Sequence, residues 1–252
     1  MATANKLMIE GELTSDEKDF GNSGFRINDS DMTLLRLTDN IILKNSKAWV
    51  DQGTLLGLVR DGKLIEWDND IDLSCMQHDR PRLRLTDVKK LMDKGLVVLT
   101  SRFGINLKSL NSDEDIKKVD LTFIYGKNGR YLKSYSDFEH QNFLAKVIEK
   151  TIKEVLGLVQ RSRRNGLRLG LWMLANSISW FYRSYFMKTI DMECPEWQFD
   201  LDKTKLMEEI ENIQIYTSPE QYLIHKYGKD WRVPKKDWDY TTQDGGILHE
   251  KN

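Results

Sequence analysis

Asp51-Gln-Gly-Thr-Leu-Leu-Gly-Leu-Val-Arg-Asp-Gly-Lys-Leu-Ile-Glu-Trp-Asp-Asn-Asp-Ile-Asp-Leu73 decides how this chain is read. At its acidic end, Asp70 and Asp72 alternate with Ile71, Leu73 and Cys75, the period-two pattern of a half-buried strand. Residues two apart on a strand share a face, with Cα atoms about 6.5 Å apart, so the two carboxylates project together. Held that close, they repel unless a cation lies between them. Oxygen ligands without imidazole or thiolate suit a hard ion such as Mg²⁺ or Mn²⁺. A solvated acidic turn is the plain alternative, but unpaired acids on a half-buried strand are costly. A calcium loop is discounted. Asp68, Asp70 and Asp72 match its first three ligand positions, yet Leu73 stands where that loop needs glycine and Asp79 where it needs Glu.

At the other end, Gly53-Thr54 follows a short strand-like run, Ala48 to Asp51, and opens a helical pattern through Leu58. Such a turn presents backbone N–H groups and a hydroxyl to a phosphate at a helix N-terminus. Arg60 and Lys63 fall in the connecting loop, where each is either a phosphate ligand or a solvated charge. Further along, Val119, Leu121 and Phe123 alternate with Asp120, Thr122 and Ile124 as another strand. Taken alone, Asp120 reads as a solvent-facing acid. Joined to the upstream pair, it completes the three carboxylates of a metal-dependent phosphoryl-transfer site.

Around this centre the pattern is α+β. Asp31 to Lys44 has apolar residues at helical spacing, with Asp29 or Ser30 placed to cap it. Asp87 to Lys94 reads as a helix, Leu96 to Thr100 as a strand, and Phe103 to Leu110 as one arm of a hairpin turning at Asn111 to Asp115. Ser136 to about Thr189 is mainly helical, and helices are expected over Leu201 to Ile213 and Pro219 to Tyr227, followed by a coil-like tail. The expected organisation is a loosely ordered lead-in over 1–29, a catalytic core over 30–135 and a mainly helical part over 136–252 packed on it.

Composition narrows the partners. The 252 residues carry a net charge of −1, so no global field draws nucleic acid or an anionic membrane, and any anionic substrate needs a local cluster. Two cysteines, Cys75 and Cys194, are too few for a disulfide framework or a four-ligand zinc site. With no apolar run over Met1 to Phe20, a cytoplasmic setting is expected.

The run Gly53-Thr-Leu-Leu-Gly-Leu-Val-Arg60, with Ile65-Glu-Trp-Asp-Asn-Asp-Ile-Asp72, closely resembles the LicD family, the bacterial phosphocholine transferase group to which fukutin and fukutin-related protein belong. Tyr222-Leu, Tyr227-Gly-Lys-Asp-Trp231 and Pro234 resemble the family's closing motif. The resemblance implies a nucleotidyltransferase-like mixed β-sheet flanked by helices. It implies transfer of phosphocholine or an alditol phosphate from a CDP-activated donor such as CDP-choline to a glycan or lipid-linked glycan, as in cell-surface polysaccharide biosynthesis. By position, Asp70 and Asp72 become the metal pair and Asp120 the third carboxylate. Glu66 stands where the family usually has Pro, and the Cys/His zinc cluster of the fukutin-related branch has no counterpart. The rival readings are attachment of a nucleotide to an acceptor by the same acids, or nucleotide binding without catalysis.

One segment stays apart from this scheme. Arg161, Arg163, Arg164 and Arg168 precede Trp172, Trp180, Phe181, Tyr182, Tyr185 and Phe186. It reads either as a peripheral contact with a bilayer at the inner membrane face or as a core helix with a solvated basic turn. The core helix is the favoured reading.

Overall fold

The computed structural model describes residues 25–110, 117–136, 143–186, 189–195, 203–216 and 219–248. Most of the expected lead-in over 1–29, and the turn expected at Asn111 to Asp115, lie outside them.

Helix α1 (Asp29–Leu37) runs into a π-helical turn, Thr38–Ile42. Its cap is Asn28, whose side chain accepts the Asp31 N–H, and neither Asp29 nor Ser30 fills that place. Strand β1 (Ala48–Val50) leads into α2 (Gln52–Asp61), capped by Asp51 and closed by Gly62. Then follow β2 (Asp70–Met76), α3 (Leu85–Asp93), β3 (Leu96–Thr100), β4 (Gly104–Ser109), β5 (Lys118–Lys127) and β6 (Arg130–Ser136). Asn128 and Gly129, both at positive φ, make the two-residue turn between β5 and β6. The rest is α4 (Phe143–Arg161), α5 (Asn165–Tyr185), β7 (Thr189–Cys194), β8 (Lys203–Met207), β9 (Ile210–Tyr216) and α6 (Pro219–Tyr227).

The described strands form one mixed sheet in the order β3-β4-β5-β2-β1-β9-β8, and β6 continues from the far half of β5 to β7. β2 and β5 are parallel and in register over seven pairs, from Asp70 opposite Lys118 to Met76 opposite Ile124. The fold is therefore the α+β class expected, with a mixed sheet and flanking helices.

Two expectations change. Leu201 to Ile213 is no helix: Lys203–Met207 and Ile210–Tyr216 form an antiparallel hairpin. Ile213 and Ile215 alternate inward, and β9 lies parallel to β1, with Ala48 opposite Ile213. Burial against β1 outweighs a helical spacing that also fitted the segment. The C-terminal part accordingly holds strands β7, β8 and β9 beside its helices, and one sheet runs across the boundary drawn near 135. Further, α5 is only half a core helix. Trp172, Ala175, Ser179 and Tyr182 are buried, and the Trp172 indole donates to the Val98 carbonyl at 2.7 Å, while the opposite face lies in solvent.

Candidate active site

The sheet brings the acids together. Ile71 and Leu73 are fully buried, which turns Asp70 and Asp72 to the opposite face, and Asp72 lies directly across from Asp120. Asp68, just before β2, joins them. One carboxylate oxygen each from Asp68, Asp70 and Asp72 lies within 4.8 Å of the others, a group that could hold a metal ion.

Asp120 is adjacent to this group and differently engaged. The Lys118 ammonium lies 2.7 Å from Asp120 Oδ2 and 2.9 Å from Asp70 Oδ2, bridging the two carboxylates. Asn106 donates to Asp120 Oδ1, and Arg183 donates to Asn106 Oδ1 at 2.7 Å, so α5 steadies Asp120 through β4.

The strand-to-helix turn closes the other side. Gly53 N–H donates to Asp72 Oδ2 and the Gln52 side-chain amide to Asp72 Oδ1, both at 3.2 Å. Gln52 sits at φ 47°, uncommon for a residue with a side chain. Thr54 is buried, and its hydroxyl accepts the Asp72 N–H at 2.7 Å. That bond fastens α2 to β2 and leaves phosphate contact at this turn to Gln52 and Gly53.

Electrostatics fit a cation. Burial, the hydrogen bond with Asp70 and the Asp70 charge push Asp68 up to about 7. Burial, followed by the charges of Asp70, Asp68 and Asp120, raises Asp72 well above the usual carboxylate range. Burial also acts upward on Asp70, but its hydrogen bond with Asp68 and the Lys118 ammonium hold it below its ordinary value. Asp68 and Asp72 are therefore inclined to hold protons that a divalent cation would displace, while Asp70 stays ionised. An all-oxygen donor set of this kind suits a hard ion.

The acids open onto a cleft of about 810 Å³. Seven cationic and five acidic side chains line it, so a bound metal–phosphate complex would meet charges of both signs. Arg60 reaches the cleft from the last turn of α2 rather than from the loop, its guanidinium bidentate on Asp61 at 2.9 and 2.8 Å. Lys63 is in the loop as expected but pairs with Glu66 and is not among the cleft's lining residues.

Sequence reasoning missed several wall residues. Asp68 was visible in the discounted calcium pattern and in the family-like run Ile65 to Asp72, but was given no role. Lys118 carried no signal until β5 was paired with β2. The tail after α6, read as coil, brings Lys235, Lys236, Trp238 and Tyr240 to the cleft beside Tyr227 and Trp231. It is pinned by the Gly245 N–H donating to Lys226 O at 3.1 Å and by the buried Lys226–Asp244 pair. Tyr222 faces inward instead.

Beneath the site lies a buried network. Asp51, 1 % exposed, accepts from Ser74 Oγ at 2.5 Å, Lys133 Nζ at 3.1 Å and the Tyr222 hydroxyl, and Lys133 also donates to Tyr222 at 3.2 Å. It ties β1, β2, β6 and α6 together directly under the Gln52–Gly53 turn.

The turn has no room for a side chain at position 53. A Cβ there would stand 2.4 Å from Asp68 Oδ2 and 3.4 Å from Asp72 Oδ2. Gly53→Ala should therefore leave the fold intact, because Asp68 can swing away, while weakening divalent-ion affinity on the order of 10-fold. Calorimetric titration with Mg²⁺ or Mn²⁺ measures this, and unchanged affinity would contradict it.

Comparison with known proteins now bears on this geometry. A family model described as LicD/FKTN/FKRP, nucleotidyltransferase domain, matches residues 45–154, which contain the turn and all four acids. "Uncharacterized protein RP689" of Rickettsia prowazekii (strain Madrid E) is 38% identical over 52 residues, 20% of this chain. The matched part spans only 20% of that relative's length. The solved structure of antibiotic-resistance factor ANT(2'')-Ia is similar over 58% of this chain and 84% of its own, at 15% identity and a TM-score of 0.26, too slight to argue from. The motif, its placement on β1, α2 and β2, and the match agree: residues 45–154 of this chain are similar to the LicD/FKTN/FKRP nucleotidyltransferase domain.

Proposed function

We propose that this chain transfers a phosphorylated alcohol from a CDP-activated donor to a glycan hydroxyl, releasing CMP. The observation that carries the reading is the cluster of Asp68, Asp70 and Asp72 facing a cleft that also carries basic and aromatic side chains. In this reading Asp70 and Asp72, with Asp68 beside them, hold Mg²⁺ or Mn²⁺. When bound, such an ion neutralises charge on the donor diphosphate. Gln52 and Gly53 orient Asp72. Arg183, Lys235 and Lys236 attract the phosphates, and Tyr227, Trp231 and Trp238 offer rings to the cytosine. Asp120, fixed by Lys118 and Asn106, takes the proton of the attacking hydroxyl. That oxygen bonds to the phosphorus of the phospho-alcohol as the bond to CMP breaks, so most of the rate enhancement is positioning and charge stabilisation.

The test is a screen of CDP-choline, CDP-ethanolamine, CDP-ribitol and CDP-glycerol, with CTP and ATP alongside, with and without Mg²⁺. Metal-dependent CMP release from one CDP-alcohol is expected. Pyrophosphate release from CTP or ATP would replace the reading with nucleotide attachment. Binding without turnover of any donor would reduce it to a nucleotide-binding domain.

A further inference from the structure

The α4–α5 hairpin has a surface that a water-facing helix pair should not have. A surface helix ordinarily turns charge outward, yet every exposed position of α5 is uncharged, with Arg168 and Arg183 only partly exposed. Six of those positions are large and apolar: Leu167, Met173, Leu174, Trp180, Phe181 and Tyr185. Phe186 continues the patch, with the Phe181 ring 5.3 Å from its own. At the same end, Ala145 and Ile148 of α4 pack on Tyr182, which sets the exposed Phe143 and Val147 beside the aromatic group. Arg161, Arg163 and Arg164 stand exposed at the opposite end, where α4 turns into α5. Residues 143–186 hold eight Lys or Arg against two Glu, a local charge of +6 in a chain whose total is −1.

An apolar face flanked by concentrated positive charge matches one occupant in both respects, an anionic lipid surface. A second copy of the same hairpin would meet the apolar face but set +6 against +6. No helix among the described residues is long and apolar enough to cross a membrane, so the contact lies in the interface plane. We propose that the α4–α5 hairpin docks this protein on an anionic bilayer. Glu149, Ile152 and Lys153 of α4 and Arg183 of α5 also line the cleft. A docked hairpin therefore holds the cleft beside the membrane, within reach of an acceptor carried on a lipid. The docking stands without the proposed transfer reaction, and only the kind of acceptor rests on that reading.

The experiment is flotation of the full chain with phosphatidylcholine vesicles, either neutral or about one-third phosphatidylglycerol. Flotation is expected with the anionic vesicles only, weakening as salt is raised. Arg163→Glu with Arg164→Glu should lower partitioning on the order of 100-fold. Phe181→Glu with Tyr185→Glu should abolish it, with unchanged circular dichroism and unchanged CMP release from a soluble donor and acceptor. Equal binding to neutral vesicles, no flotation, or full retention by either variant pair would overturn the proposal. So would a dimer by light scattering that dissociates on Phe181→Glu, since that makes the face a self-interface. Loss of catalysis with flotation intact would instead count against the proposed reaction.

Discussion

Asp72→Asn is expected to lower CMP release by about 10³-fold or more while the protein stays folded. The carboxylate is half-buried, and both of its oxygens are held, by Gly53 N–H and the Gln52 amide. An Asn carbonyl can still accept one of these bonds, so the turn keeps an anchor. What is lost is charge, at the point where a divalent ion and a diphosphate must be balanced. Stability should move the other way. Burial and four neighbouring acids already resist ionisation of Asp72, so a neutral side chain relieves repulsion. The unfolding midpoint without metal should be unchanged or higher. Turnover within about 10-fold of wild type, measured on folded enzyme, would remove Asp72 from the reaction.

Lys133→Met should destabilise the fold by roughly 3–5 kcal/mol, because it strands a buried carboxylate without its partner. For a chain of this size that is a fall in Tm of roughly 10 °C. Burial pushes the Asp51 carboxyl up, but the Lys133 and Lys226 charges and hydrogen bonds from Ser74 and Tyr222 outweigh it and bring it to about 2. A depressed carboxyl stabilises the fold above its unfolded value of 3.8 and loses that contribution as pH falls toward 2. The contribution is about 2 kcal/mol. Without Lys133 the balance at Asp51 moves toward burial, which raises its pKa, so the variant should gain more stability on mild acidification than wild type does. Urea unfolding between pH 4 and 6 reads the difference. Equal slopes would show that the pair is not what holds Asp51 ionised, and Asp51→Asn added to Lys133→Met should recover part of the loss.

Much of the site was legible because it is local. Residues 51–73 contain the turn, helix and acidic strand in one run, and each follows a short-range rule: Gly53-Thr54 as a turn opening a helix, alternation at Ile71 and Leu73; that Asp51 caps the helix was not read. Asp120 was legible through alternation in its own strand. Features that depend on distant partners were not. Nothing in Lys118 foretells a bridge between Asp70 and Asp120 until β2 and β5 lie side by side. Lys133 looks like any strand lysine, yet its partner Asp51 is 82 positions away. Thr54 and Arg60 were read as phosphate contacts, but the Asp72 backbone and Asp61 engage them, and Arg60 stands in α2 rather than in the loop. The β8–β9 segment was misread because Leu206, Met207, Ile210 and Ile213 satisfy helical spacing while Ile213 and Ile215 satisfy strand spacing, and only β1 decides between them.

That β9 lies between β1 and β8 has a consequence for how the molecule is made. The strand feeding the Asp51–Gly53 turn is bordered on one side by a segment about 165 positions later in the chain. Such distant closure is slow to form. During synthesis, β1 would emerge with one hydrogen-bonding edge open until residues 210–216 have left the ribosome. A fragment cut to the family-matching span would carry that raw edge permanently, ready to pair with another molecule. The Gln52–Gly53 turn thus depends on a strand from the last third of the sequence, and it is not expected to fold as a portable module.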